Sequence, residues 1–125
     1  MILDPEGYKI EFEQFNPHPE NEQLIPLLHA LPDIPTSLPG LSFHAHVSWL
    51  YYRDPPAARS WHMGVLGLQL VVQQPAVADI YQTSNSGFFG AVNEANGMSD
   101  WAPDPAMCVI IALCLHLSTA LVTAS

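Results

Sequence analysis

One string near the N-terminus, Asp4-Pro5-Glu6-Gly7-Tyr8-Lys9-Ile10-Glu11-Phe12-Glu13, constrains this chain more than any other stretch. Proline fixes φ and glycine takes φ > 0, so Pro5-Glu6-Gly7 presets a tight reversal. After it, Tyr8, Ile10 and Phe12 alternate with Lys9, Glu11 and Glu13. That period of two predicts a strand with one apolar and one polar face. Read from the residues alone, the polar face is a solvated one shared by Lys9, Glu11 and Glu13.

A chain of 125 residues suits one domain with a single hydrophobic core. Only 12% of its residues are charged and 49% are hydrophobic, which argues against global disorder. Twelve acids face three basic residues, Lys9, Arg53 and Arg59, for a net charge of −9. Nucleic acid is therefore set aside as a partner, and anionic membrane surfaces are disfavoured. Cys108 and Cys114 read as unpaired buried thiols without a CxxC motif. Residues 1–15 are acidic and lack an apolar core of the signal-peptide kind, so a cytoplasmic location is expected.

Between Asn16 and Gly40 stand Pro17, Pro19, Pro26, Pro32, Pro35 and Pro39. This density forbids a long helix or a central strand and predicts an extended linker over 16–40. One or two helical turns are expected near Leu24, Leu27, Leu28 and Leu31, which fall at helical spacing. From Leu41 the pattern becomes regular. Phe43 to Tyr52 reads as a strand, Asp54 as an N-cap with Pro55 opening a short helix, and Gly67 as its stop. Ala58, Trp61, His62 and Val65 form the expected inner face of that helix. Strands are expected at Leu68 to Val72, Ala78 to Thr83 and Phe88 to Asn93, with a hairpin turn at Ser84-Asn85-Ser86-Gly87. The run 107–125 is apolar; a buried strand or packed helix suits it better than a membrane span, because it sits at the lower length limit and carries His116, Ser118, Thr119 and Thr123.

The order over 41–106 is β-α-β-β-β in an α+β chain. Together with Arg53-Asp54, Val65-Leu66-Gly67-Leu68, Ile80-Tyr81-Gln82 and Gly90-Ala91-Val92-Asn93-Glu94, it resembles the vicinal-oxygen-chelate module of glyoxalase I, bleomycin-resistance proteins and extradiol dioxygenases. The string at 4–13 resembles the closing strand of such a module, so residues 1–15 look like an added N-terminal strand from a neighbouring module. In that family paired modules close a cup-shaped sheet around a divalent metal, which chelates adjacent substrate oxygens as a Lewis acid. The resemblance implies Glu11 as a metal ligand, with Fe, Ni, Zn or Mn as the metal.

His44 and His46, two apart on one strand, are the other candidate ligands. Counting back from Asp54 puts the family's first-strand ligand at Val47, so His46 takes the role only if a bulge adds a residue. The corresponding fourth-strand position falls near Ala91. Trp49, Tyr51, Phe88 and Phe89 are candidates for lining a small-molecule pocket, with core packing as their plainer role. His62 reads as packing. Two functions follow: a metal-dependent lyase or dioxygenase acting on a small oxygenated substrate, or a metal-free binding module of the bleomycin-resistance type. A truncated, inactive fragment is the third reading. A homodimer, or pairing with another module, is expected in each functional case.

Overall fold

The computed structural model describes residues 2–96, and residues 109–117 through their backbone. Along the chain run β1 (Ile2–Leu3), β2 (Lys9–Glu13), α1 (Leu24–His29), β3 (Ile34–Pro35), β4 (Leu41–Tyr52), α2 (Pro55–Gly64), β5 (Gln69–Gln74), β6 (Ala78–Gln82), β7 (Gly87–Asn93) and β8 (Val109–Leu117). They form one mixed sheet in the order β1-β2-β8-β4-β7-β6-β5, with β3 paired to the start of β4. The class is α+β, and β4-α2-β5-β6-β7 follow the expected β-α-β-β-β order. Within that unit β4 and β7 are parallel, while β5, β6 and β7 run antiparallel. β8 lies between β2 and β4, parallel to the first and antiparallel to the second.

Local chemistry explains the boundaries. Asp4 Oδ1 accepts from the backbone N–H of Glu6 and of Tyr8, each at 2.9 Å, and Gly7 takes φ +91°, so the reversal between β1 and β2 is held by side chain and glycine together. Asp54 Oδ1 accepts from Ala57 N–H at 3.1 Å, and Pro55 occupies the first helical position of α2. The helix stops at Gly64, and Gly67 at φ +68° turns the chain into β5. Thr83 and Ser84 both donate to the Gly87 carbonyl and close the β6–β7 hairpin.

Each face of the sheet has its own cover. Register places Ala45, Val47, Trp49, Phe88 and Ile80 on one face, and all of them are buried. Leu24 and Leu28 of α1, fully buried or nearly so, pack against this set. The proline-rich segment is thus part of the core and not only an extended linker. The physical reason is that Leu24 and Leu28, one helical turn apart, each gain about 1.5–3 kcal/mol by leaving water. Pro26 is compatible with α1 because it stands at the third helical residue, where its missing N–H has no partner within the helix. At Gly90 a Cβ would fall on the Trp49 ring, so only glycine lets that indole lie flat across β7.

The opposite face carries Ser48, Phe89, Asp79 and Tyr81 and is covered by α2. Only Ala58 and His62 of the four expected inner residues of α2 are buried. Trp61 and Val65 are instead 51% and 66% exposed, and Val65 is the C-cap residue just past the last helical turn. The segment expected at 107–125 as strand or helix contains the strand β8; Cys108 lies outside the described residues. Among the described residues no helix is long and apolar enough to cross a membrane.

Candidate functional site

β2 does not turn its polar side to water as expected. Glu11 and Glu13 pair through Ala112 and Cys114 of the β8 backbone with Val47 and Ala45 of β4, so they share the face of the buried core. Paired residues in a ladder point to the same side, which fixes this assignment. Both carboxyls are half-buried. Phe12, on the outward side, is 41% exposed and stacks on Phe43 at 5.8 Å between ring centroids.

The electrostatic consequence falls on Glu13. Burial, then a side-chain hydrogen bond and charge repulsion from Glu11, push its carboxyl from 4.5 up to about 8. Its Oε2 is buried and, among the described residues, without a hydrogen-bond partner. At neutral pH Glu13 therefore holds its proton. The pair offers an unsatisfied acceptor oxygen on the inner side of the sheet, with the Glu13 proton held in the hydrogen bond to Glu11. A buried acceptor of this kind costs about 1–3 kcal/mol until something fills it. Trp49, on the same face, has a buried indole N–H in the same unpartnered state.

The histidines do not join this pair. His46 aligns through Leu113 with Phe12, which puts it on the face opposite Glu11, and it is exposed. Its Nε2 lies 3.0 Å from Ser48 Oγ. His44 Nδ1 lies 3.0 Å from Asp33 Oδ1, and His44 sits at a bulge where β4 slips against β8. That bulge precedes His46. From His46 to Tyr52 the β4–β7 register runs unbroken, so no extra residue moves His46 into the Val47 position. Val47 and Ala91 also lie on opposite faces, since Val47 pairs with Phe88 and Ala91 with Leu50. Glu11, His44 and His46 of one chain thus do not fit a shared Fe, Ni, Zn or Mn ion. Among the described residues no group of three or more His, Cys, Asp and Glu is placed to hold a metal.

The aromatic candidates divide in the same way. Trp49 and Tyr51 share the Glu11 face, whereas Phe89 points to α2. Phe89 stacks on His62 at 4.8 Å, and His62 stacks on Tyr81 at 5.2 Å, with Tyr52 and Trp61 edge-on to it. His62 Nδ1 donates to the Ala58 carbonyl at 2.6 Å, so the ring packs as read from the sequence. Beside it Arg59 grips Asp79 through two 2.9 Å bonds, and Tyr81 O–H donates to Asp79 Oδ2 at 3.1 Å. This Arg59–Asp79–Tyr81 network, buried at Asp79 and Tyr81 and partly exposed at Arg59, was not foreseen, because i and i+20 in a chain carry no local signal of contact. Glu13 was also missed as a site residue; its alternation with Phe12 was legible, but not which face turned inward.

No family model, curated protein or solved structure matches the chain.

Proposed function

We propose that this chain is a small-molecule-binding module of the vicinal-oxygen-chelate kind that works without a metal held by its own residues. The Glu11–Glu13 pair is its polar recognition point. What carries this reading is Glu13: a half-buried carboxyl facing the core side, with one oxygen buried and unpartnered among the described residues. The β-α-β-β-β order of β4 to β7 and the local motifs at 53–54 and 65–68 support the family side of the proposal. The separation of Glu11 from His46 across the sheet supports the metal-free side. The buried Oε2 of the protonated carboxyl accepts a hydrogen bond from one polar group. That suits the hydroxyl or amide of a small neutral ligand, with Trp49 and Tyr51 on the same face supplying apolar contact.

Two measurements test it. Ligand-observed NMR with phenols and aromatic amides as probes is expected to show binding that Glu13→Ala abolishes. Metal analysis after incubation with Fe²⁺, Ni²⁺, Zn²⁺ and Mn²⁺ is expected to show no equivalent that Glu11→Ala removes. One bound equivalent lost with Glu11 would overturn the proposal and restore the metal-dependent lyase or dioxygenase reading.

A further inference from the structure

β5 is the edge strand at the other end of the sheet from Glu11 and Glu13, and it pairs on one side only, with β6. Beside it lies a 3-10 turn, Pro19–Asn21, held by Gln74 Nε2, which donates to Glu20 Oε1 at 3.2 Å. Turn and strand leave a groove of about 300 Å³, with Pro19, Glu20, Glu22 and Gln23 on one wall and residues 70–73 on the other. Gln73 pairs with Asp79 on the α2 face, and Val72 pairs with Ile80 on the core face. A groove that touches both therefore runs along the outer edge of the strand and not over one face. Among the described residues, no backbone hydrogen bond outside the sheet ladders involves residues 69–73. Their outward N–H and C=O groups form the row on which another strand pairs.

Charge selects what fits there. None of Lys9, Arg53 and Arg59 lines the groove; Arg59 is engaged with Asp79 and Arg53 with Glu94. Glu22 is exposed, and its carboxylate has no hydrogen bond or ion pair among the described residues. Pro19 and Glu22 also line a second cleft of about 500 Å³, walled by Pro17, His18, Ile25 and Pro26. An acidic, unpaired strand edge thus adjoins an apolar hollow. We propose that a basic, extended peptide segment of another protein adds a short strand to β5. Its lysine or arginine meets Glu22, and an apolar neighbour enters the adjoining cleft. A free polyamine would meet Glu20 and Glu22 but leave the β5 backbone unpaired, whereas a peptide answers both. Residues 70–73 give room for about four residues of partner. The bulge between Leu70 and Val72 disfavours a long flat pairing and suits such a short segment. This site lies far along the sheet order from the Glu11–Glu13 pair and does not depend on it.

Fluorescence anisotropy with the full chain tests the proposal, the probe being a labelled hexapeptide of alternating valine and arginine. Saturable binding is expected, weakening as salt rises. Glu22→Lys, at an exposed position, is expected to weaken it by about tenfold or more. Glu6→Lys makes the same charge change in the exposed turn before β2 and is expected to stay within about twofold of the unaltered chain. N-methylating alternate backbone amides of the probe, in each of the two phases, keeps every charge and removes donors. One phase is expected to lose about tenfold and the other to bind as before, because only alternate amides of an added strand face β5. Three results would overturn the proposal: no saturable binding at low salt, equal weakening by Glu22→Lys and Glu6→Lys, or both N-methylated probes binding as well as the parent. Either of the last two would mean attraction by net charge alone.

Discussion

Asp79 and Glu13 are both carboxyls turned toward the interior from opposite faces of one sheet, and the fold treats them in opposite ways. Asp79, buried on β6, receives two bonds from Arg59 and one from Tyr81. Glu13, half-buried on β2, meets a second carboxyl and leaves Oε2 without a partner among the described residues. In the first region every strong acceptor is answered by a donor from the same chain. In the second the chain supplies like charge against like. Complete satisfaction marks a structural network, whereas an unanswered carboxyl marks a place where an outside group gains by entering. The neighbouring hydroxyl and guanidinium register the same contrast: the bond to Asp79 raises Arg59, and burial first, then Asp79, pushes Tyr81 up to about 12.

The contrast breaks most visibly at Arg59. Arg59→Leu leaves Asp79 buried with only the Tyr81 hydroxyl. Because the guanidinium is partly exposed, we expect a loss of about 2–3 kcal/mol, below that of a fully buried pair, read from urea denaturation. Glu13 is expected to show the reverse sign. Its folded-state value of about 8 lies above the ordinary 4.5, so the protonated form is the one the fold prefers. Its contribution is fully present below about 4.5 and is lost as pH rises through 8, with a slope no steeper than about 1.4 kcal/mol per pH unit. Glu13→Gln keeps the shape and removes the charge. Denaturation midpoints should therefore fall from pH 5 to 9 in the wild type and stay flat across this step in the variant, which ends up the more stable at pH 9. A wild-type curve that rises over the same range would contradict the account. The smallest effect is expected at Tyr81→Phe, which deletes one of three bonds to Asp79 and should cost about 0.5–1.5 kcal/mol.

Much of the sheet was legible because its signals are local. The strand at Leu41–Tyr52, the Asp54–Pro55 start of α2 and the hairpin before Gly87 rest on residues that act over a few positions. Leu24 and Leu28 showed helical spacing, but nothing in the segment said that the sheet would receive them. The same limit governs the candidate site. Alternation from Tyr8 to Glu13 told that two faces exist, and β8, about a hundred residues later in the chain, decides which one is inner. His44 and His46 looked like a pair by spacing. A bulge at one, and a register that holds the other opposite to Glu11, separate them from the carboxyl they were expected to meet.

Glu13 is an inward carboxyl that keeps its proton at neutral pH because burial, and then the neighbouring Glu11, disfavour its charge. A ¹³C NMR titration of the glutamate side-chain carboxyls, assigned with Glu13→Gln, tests it directly. The account predicts one carboxyl carbon titrating near 8 that disappears in Glu13→Gln. A Glu13 signal that titrates in the ordinary carboxylate range near 4.5 would contradict it.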